Sequence, residues 1–166
     1  FRKSVILIVF IFFAFQIVFP FRYLLYPGEL FWHEQGYRFS WRVMLVEKIG
    51  LASFKIKDPD NGNEIREVVN SDFLTHYQEK QMSFQPDMIL QYAQYLGDFY
   101  KNKDVNFDGI IDFGENIQVF VDCKVKLNGF RETQRLIEPN INLYTQKESF
   151  KNKTWILPLN DEIKGF

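Results

Sequence analysis

The segment DVNFDGIIDFGE, residues 104–115, carries the clearest chemical pattern in the chain. It matches the twelve-position EF-hand loop, in which alternate oxygen-bearing side chains converge on one hard cation. Gly109 falls where that loop turns sharply, and Ile111 falls on its apolar position. Four carboxylates this close together would repel one another without a cation. We therefore expect a Ca²⁺ site whose ligands are Asp104, Asn106, Asp108, the carbonyl oxygen of Ile110, Asp112 and Glu115.

An ordinary surface turn is the alternative interpretation of this loop, because turns also use Asp, Asn and Gly. Ile111 and Glu115 have no role in such a turn, so calcium binding is the better explanation. A helical pattern enters the loop from Gln91 to Lys101, but the pattern of a strand leaves it. A calcium sensor of the EF-hand type, whose two helices open when calcium binds, needs a second helix after the loop. We expect a structural calcium site that joins a helix to a strand.

Composition limits the architecture and the partners. A chain of 166 residues, 46% hydrophobic and 25% charged, can form one compact domain with a real core. The formal charge is −1, and Arg2, Lys3 and Arg22 lie in or beside the first apolar segment. The remainder is weakly acidic, which argues against a nucleic-acid partner. Cys123 is the single cysteine, which excludes an internal disulfide framework and a multi-cysteine zinc or iron–sulfur site.

The N-terminal segment is typical of a membrane span. The run from Val5 to Phe19 is apolar except for Gln16, and apolar character resumes after Pro20 as far as Tyr26. At ~1.5 Å per residue this helix can cross a hydrocarbon layer of roughly 30 Å if it continues past a kink at the proline. A secretory signal peptide would show a small-residue cleavage site, and a buried core helix would show a polar stripe; neither is present in this segment.

We therefore predict that residues 1–27 form a transmembrane helix with a membrane-proximal segment, and that the lipid bilayer is a partner. Arg2 and Lys3 favour a cytoplasmic N-terminal end, which places residues 28–166 outside the cytoplasm as one extracytoplasmic domain. Because Phe1 is not a start methionine, we expect the chain to be the tail of a longer protein.

Hydrophobic periodicity predicts an α+β fold for that domain, β-rich and sandwich-like, with one prominent helix. Alternation predicts a strand over residues 40–48, a hairpin over 52–70 around Asn61-Gly62, a strand from Ile117 to Leu127 and a return strand from Phe130 to Leu136. Helical spacing predicts the main helix over residues 83–103 and a short helix near 72–78. We expect Cys123 to be buried and inert, and His33 and Glu34 to be exposed loop residues, with a pocket lining as the alternative.

The run LYPGELFWHEQGYRFSWRVML, which ends at Leu45, resembles the start of the extramembrane C-terminal region in the vitamin K-dependent γ-glutamyl carboxylase family, including its bacterial, HTTM-type membrane homologues. The family pattern is similar to L-Y-P-G…W-x-E-x-G-Y-x-F-S-W-R-x-M-L. Further similar blocks follow in order: QMSFQPDMILQYAQYL at 81–96, VDCKVKLNGF at 121–130, LIEPNINL at 136–143 and TWILPL at 154–159.

The resemblance implies the last membrane helix and C-terminal domain of a polytopic lyase. In the animal carboxylases, oxygenation of reduced vitamin K creates a strong base that removes a γ-proton from protein glutamate, and carbon dioxide traps the carbanion. This implies vitamin K hydroquinone, O₂ and CO₂ as cofactors of the full-length protein, and a glutamate-containing protein or peptide as substrate. The lysine assigned to that chemistry belongs to membrane helices outside this chain, so the resemblance places no catalytic residue here.

The family tyrosine linked to glutamate binding falls on Tyr37, followed by the S-W pair Ser40 and Trp41. The resemblance thus implies a substrate site at these residues, with packing of a membrane-proximal strand as the alternative. We expect part of a γ-carboxylase-like protein of the bacterial inner membrane, serving substrate engagement or structural support, with the calcium loop as an insertion. The competing hypothesis is a non-enzymatic, single-span binding module stabilised by calcium.

Overall fold

The computed structural model describes residues 2–42, 47–60, 64–101, 116–128 and 132–160. Helix α1 runs from Arg2 to Val18 and continues as a 3-10 helix over Phe19–Leu25, because Pro20 stands at its first turn. No residue of α1 is buried. Within the described part of the chain, Arg2–Leu25 is the segment long and apolar enough to cross a membrane. Helical structure therefore continues past Pro20.

A four-stranded antiparallel sheet forms the centre of the domain, with strand order β2-β1-β3-β4. The strands are β1 (Lys48–Asp58), β2 (Glu64–Glu67), β3 (Gln118–Leu127) and β4 (Gln134–Arg135). The register pairs Ala52 with Cys123 and Ile56 with Val119. Because side chains alternate along a strand, this register brings the apolar residues of β1 and β3 to one face. The core lies on that face.

Helices cover the apolar face of the sheet. After α2 (Leu30–His33), α3 spans His76–Met82 behind a capping box formed by Thr75 and Gln78, and α4 spans Pro86–Lys101. Helix α4 buries Ile89, Tyr92, Ala93 and Leu96, as the sequence predicts. A side chain at Gly50 would collide with the carbonyl oxygen of Ser83, so this glycine allows the α3–α4 turn to approach β1.

The C-terminal segment completes the hydrophobic core. Leu136 and Ile137 are fully buried, and Ile137 forms an isolated antiparallel bridge with Ile156. A 3-10 helix over Leu143–Thr145 packs on α4, where the Tyr144 hydroxyl donates to the Asp98 carboxylate at 2.9 Å. The predicted α+β class is confirmed, and the layer facing the sheet is helical.

Several predicted boundaries differ from the structure. The strand predicted over residues 40–48 is not formed at residues 40–42 and 47, where Trp41 has a left-handed φ of 58°, and residues 43–46 lie outside the described part. Strand β1, the first strand of the predicted hairpin, begins at Lys48 rather than at residue 52. The short helix begins at His76, because a 3-10 helix over Asn70–Asp72 precedes its Thr75 cap. The hairpin of β1 and β2 is confirmed, although its Asn61-Gly62 turn is not described. Strand β4 has two residues, shorter than the predicted return strand.

Candidate functional site

Helix α2 connects the end of the apolar N-terminal segment to the domain. Glu29 caps it by accepting a hydrogen bond from the Phe31 N–H at 3.1 Å, and Glu34 ends it in the left-handed conformation. Trp32 is 1% exposed, and its Nε1 donates to the carbonyl oxygen of Leu157 at 2.7 Å. This buried indole fixes α2 to the C-terminal segment.

Residues 34–42, here called the membrane-proximal loop, fold back onto the end of the apolar segment. Gly36 has a φ of 76°, and a Cβ there would lie 2.8 Å from the Cα of Tyr23. The Arg22 guanidinium donates to the carbonyl oxygen of Arg38. The Trp41 ring packs edge-to-face on Phe21, with 6.4 Å between the ring centroids. The loop is thus held against the last turns of the candidate membrane span.

A buried ion pair supports the loop from the domain side. Lys48, at the start of β1, donates from Nζ to Glu34 Oε1 at 2.7 Å and to the Trp32 carbonyl oxygen at 2.9 Å. The Lys48 side chain is 2% exposed and that of Glu34 is 18% exposed. Burial raises the pKa of Glu34 and lowers the pKa of Lys48, while the attraction between the two charges opposes both shifts. The desolvation of both groups is the larger effect.

The structure brings Tyr37, Ser40 and Trp41 together, since all three line one cavity of about 490 Å³. The Tyr37 ring is half-buried and lies edge-to-face on Phe31, with centroids 6.1 Å apart. Ser40 is buried, and its hydroxyl has no hydrogen-bond partner within the part of the chain that the structure describes. Trp41 is 69% exposed. A cavity with a phenol, a hydroxyl and an indole at its wall can hold a ligand that is partly apolar and partly polar.

The expected exposure of His33 and Glu34 is wrong, and the pocket lining is the correct interpretation. His33 is 6% exposed, and its Nδ1 accepts a hydrogen bond from the Gln35 N–H at 2.9 Å. Both residues line a smaller cavity of about 130 Å³ beside Asp87. Burial lowers the pKa of His33; the Gly28 backbone and the Glu29 charge oppose this shift without cancelling it, and the Lys48 charge adds to it. The imidazole is therefore neutral at pH 7.

Two basic residues of this site escaped the sequence analysis. Lys48 lies on the buried face of β1, the same face as Ala52 and Phe54. A lysine among alternating apolar residues of a strand indicates a buried charge that needs a partner. Arg42 lies at the wall of the larger cavity, with its guanidinium 4.5 Å from the Tyr23 ring centroid. No spacing in the sequence relates Arg42 to Tyr23.

The predicted calcium ligands, Asp104, Asn106, Asp108, Ile110, Asp112 and Glu115, lie outside the described residues. Among the residues that are described, no group of three or more His, Cys, Asp or Glu side chains could hold a metal ion. Helix α4 and strand β3 flank the loop, as predicted. Cys123 is buried as expected; its thiol donates to the Ser83 carbonyl oxygen at 3.2 Å, and burial raises its pKa to about 12.

Comparison with known proteins gives one finding. The family model described as the vitamin K-dependent gamma-carboxylase, lumenal domain, matches residues 1–162. The searches of curated proteins and of solved structures found no match. The family match extends over the apolar helix, the membrane-proximal loop and the described sheet.

Proposed function

The chain belongs to the vitamin K-dependent gamma-carboxylase lumenal-domain family, and on that premise we propose that it engages a glutamate-containing substrate at the membrane surface. The observation that carries this proposal is the cavity at the membrane-proximal loop, where Tyr37, Ser40 and Trp41 meet. Contacts of the loop with Phe21 and Tyr23 support a position beside the bilayer. A peptide held there would present its side chain next to the membrane.

The charges around the cavity suit an acidic substrate. Arg38 and Arg42 line it together with Glu34. The negative charge of Glu34 is paired with the positive charge of Lys48. Because Arg38 is paired with Asp87, the positive charge that an acidic side chain entering the cavity would meet is mainly that of Arg42. Phe31 and Tyr37, which line an adjoining cavity of about 350 Å³, would contact the apolar stem of the peptide side chain.

The chemistry of the full-length protein lies outside this chain. Vitamin K hydroquinone, O₂ and CO₂ would supply the base and the carboxyl group there, and no step of that reaction is assigned to residues described here. We place the protein in a bacterial inner membrane with residues 28–166 on the extracytoplasmic side. This orientation rests on Arg2 and Lys3 at the N-terminal end of the apolar helix.

Peptide binding tests the proposed function. The whole chain, reconstituted in lipid nanodiscs, should bind a short peptide with one central glutamate more tightly than the same peptide with glutamine. Tyr37→Ala should weaken binding by about tenfold, because it removes an aromatic wall of the cavity. Tyr77→Ala is the matched control, since Tyr77 is exposed on α3. Equal titration curves for the two peptides would overturn the proposal.

We also propose that residues 104–115 bind Ca²⁺ and thereby join α4 to β3. Calcium at about 100 times its dissociation constant should stabilise the folded chain by about 2.7 kcal/mol, measured as a rise in melting temperature. Asp104→Ala and Glu115→Gln should abolish the rise, whereas Glu132→Gln, an exposed acidic residue near β4, should retain it. An unchanged melting temperature with calcium would refute the site.

A further inference from the structure

The small cavity of about 130 Å³ lies between the end of the apolar segment and the C-terminal segment. Arg22 and Tyr26 line it from the first of these, and Phe150 lines it from the second. The Tyr26 hydroxyl donates to the Phe150 carbonyl oxygen at 2.9 Å, which joins the two segments at the cavity wall. Glu34 and Arg38 also border the larger cavity proposed for the substrate, but Arg22 and Phe150 do not.

Arg22 leaves this small cavity with an unbalanced positive charge. Each acidic side chain at the wall is paired with a base at 2.6–2.7 Å: Asp87 with Arg38, Glu148 with Lys153, and Glu34 with Lys48. Arg22 has no carboxylate within ion-pair distance in the part of the chain that the structure describes. Charge complementarity therefore favours an anionic ligand.

The Arg22 guanidinium is held in place and still has donors to offer. Its Cζ lies 4.2 Å from the ring centroid of Phe19, Nη1 donates to the Phe19 carbonyl oxygen at 3.4 Å, and Nη2 donates to the Arg38 carbonyl oxygen. A guanidinium carries five N–H donors, so these two bonds leave most of them free. The side chain is half-buried, and its exposed part lies at the cavity wall where a ligand can reach it.

The surroundings of the cavity are amphipathic, as those of a lipid site would be. Arg22 lies near the end of the candidate span Arg2–Leu25, where an arginine side chain extends to the level of the headgroups. Leu24, Leu25 and Phe150 are exposed beside it and offer apolar surface. Lys151 follows Phe150, is exposed, and forms no ion pair with the described residues. Positive charge and apolar surface thus lie together at the end of the span.

We infer that Arg22 binds the phosphate of an anionic phospholipid at this cavity, with Phe150 against the acyl chains and Lys151 near the headgroup. Guanidinium and phosphate match in shape, because two N–H groups reach two phosphate oxygens. The ammonium group of phosphatidylcholine would need a free carboxylate, and those at the cavity are already paired. The inference takes Arg2–Leu25 as a membrane span and does not depend on glutamate binding.

Thermal stability with added lipid tests the inference. The whole chain is purified in an uncharged detergent and receives short-chain phosphatidylglycerol, short-chain phosphatidylcholine or inorganic phosphate. Phosphatidylglycerol should raise the melting temperature at a concentration about tenfold lower than phosphatidylcholine, and inorganic phosphate, which has no acyl chains, should not raise it. Arg22→Gln removes the charge but keeps an N–H donor, and it should need about tenfold more phosphatidylglycerol for the same rise.

Variants of exposed residues complete the test. Phe150→Ala and Lys151→Gln should each weaken the response to phosphatidylglycerol by a few-fold, since both side chains lie outside the core. Lys124→Gln is the matched control, because it removes an equally exposed lysine from the middle of β3 and should respond as the wild type does. Melting temperatures without lipid establish that each variant is folded.

Four outcomes would overturn the inference. The first is a normal response to phosphatidylglycerol in Arg22→Gln or, if that variant is unfolded, in both Phe150→Ala and Lys151→Gln. The second is an equal response of the wild type to the two lipids, since the unbalanced charge would then select nothing. The third is an equal rise with inorganic phosphate, which would identify a site for the free ion. The fourth is no response to phosphatidylglycerol together with loss of glutamate-peptide binding in Arg22→Gln, which would assign this charge to the substrate.

Discussion

At the residue scale, Cys123 shows how surroundings determine reactivity. The thiol faces the core from β3 with no exposed surface, and its pKa of about 12 compares with an ordinary value of 9.0. The thiolate is the nucleophile, and near pH 8 its fraction is about 1000-fold smaller at this pKa than for a cysteine with the ordinary value. We predict that an aromatic disulfide reagent labels the folded chain far more slowly than the denatured chain. Rapid stoichiometric labelling of the folded chain would contradict the burial of this thiol.

His33 gives a prediction about pH. Its imidazole is buried, and Nδ1 already accepts a hydrogen bond, so protonation there breaks a contact. Because its pKa is lowered in the folded chain, the unfolded chain binds the proton first as the pH falls below 6.5. Stability should therefore decrease with acidification through this range and stop decreasing once the pH passes the folded-state pKa.

Melting temperatures between about pH 7.5 and about pH 5 measure the effect. His33→Asn keeps an acceptor near the Gln35 N–H but cannot titrate, so it should show a smaller loss with acid than the wild type. His76→Asn, at an exposed position in α3, should follow the wild type. An identical pH slope in His33→Asn and the wild type would show that this imidazole does not link stability to pH.

At the element scale, the Glu34–Lys48 pair joins α2 to β1. Removing one partner leaves a buried charge unpaired, so Lys48→Met should destabilise the fold by about 3–5 kcal/mol. The double variant Glu34→Gln/Lys48→Met should lose less than the sum of the single losses, because neither charge remains. The exposed pair Arg135–Asp122 is the control, and Arg135→Met should cost less than about 1 kcal/mol. Denaturant titrations of the wild type, Lys48→Met, Glu34→Gln, the double variant and Arg135→Met measure these losses, and additive losses in the double variant would argue against coupling.

The elements that sequence analysis located are those whose own periodicity matches their burial. Helix α4 and strand β3 each have one buried face, and the residues on those faces were identified correctly. The strand predicted from residue 40 failed, because the φ values of Phe39 and Trp41 are positive where the loop docks on the 3-10 helix Phe19–Leu25. Such docking depends on residues distant in sequence, which periodicity does not register.

The candidate site divides in the same way. Tyr37, Ser40 and Trp41 came from a family resemblance, and their common cavity came from the structure. The position of the Arg42 guanidinium depends on the rings of Tyr23 and Phe31, the first of them 19 positions earlier in the chain. Lys48 was placed in a strand, but its partner Glu34 was taken for an exposed residue. Ion pairs between elements require the tertiary fold.

At the scale of the whole molecule, two segments attach the domain to the end of the apolar helix. The first is the membrane-proximal loop. The second is the C-terminal segment, where the Phe150 carbonyl oxygen accepts from the Tyr26 hydroxyl at 2.9 Å and the Lys153 N–H donates to Gln35 at 2.8 Å. Phe150 is 81% exposed, and Trp41, whose ring contacts Phe21 of the apolar segment, is 69% exposed. An apolar surface therefore continues from the helix onto the domain.

This arrangement predicts the depth of Trp41 if Arg2–Leu25 spans the bilayer. Trp41 contacts Phe21 near the end of that segment, so its indole should lie at the boundary of hydrocarbon and headgroups, where tryptophan is favoured. Trp32 and Trp155 are buried in the domain. Lipids brominated near the upper part of their chains should quench part of the tryptophan emission, and Trp41→Phe should remove the quenched part. Aqueous iodide is the control quencher. Quenching by brominated lipid that persists in Trp41→Phe would mean that a different face of the domain meets the membrane.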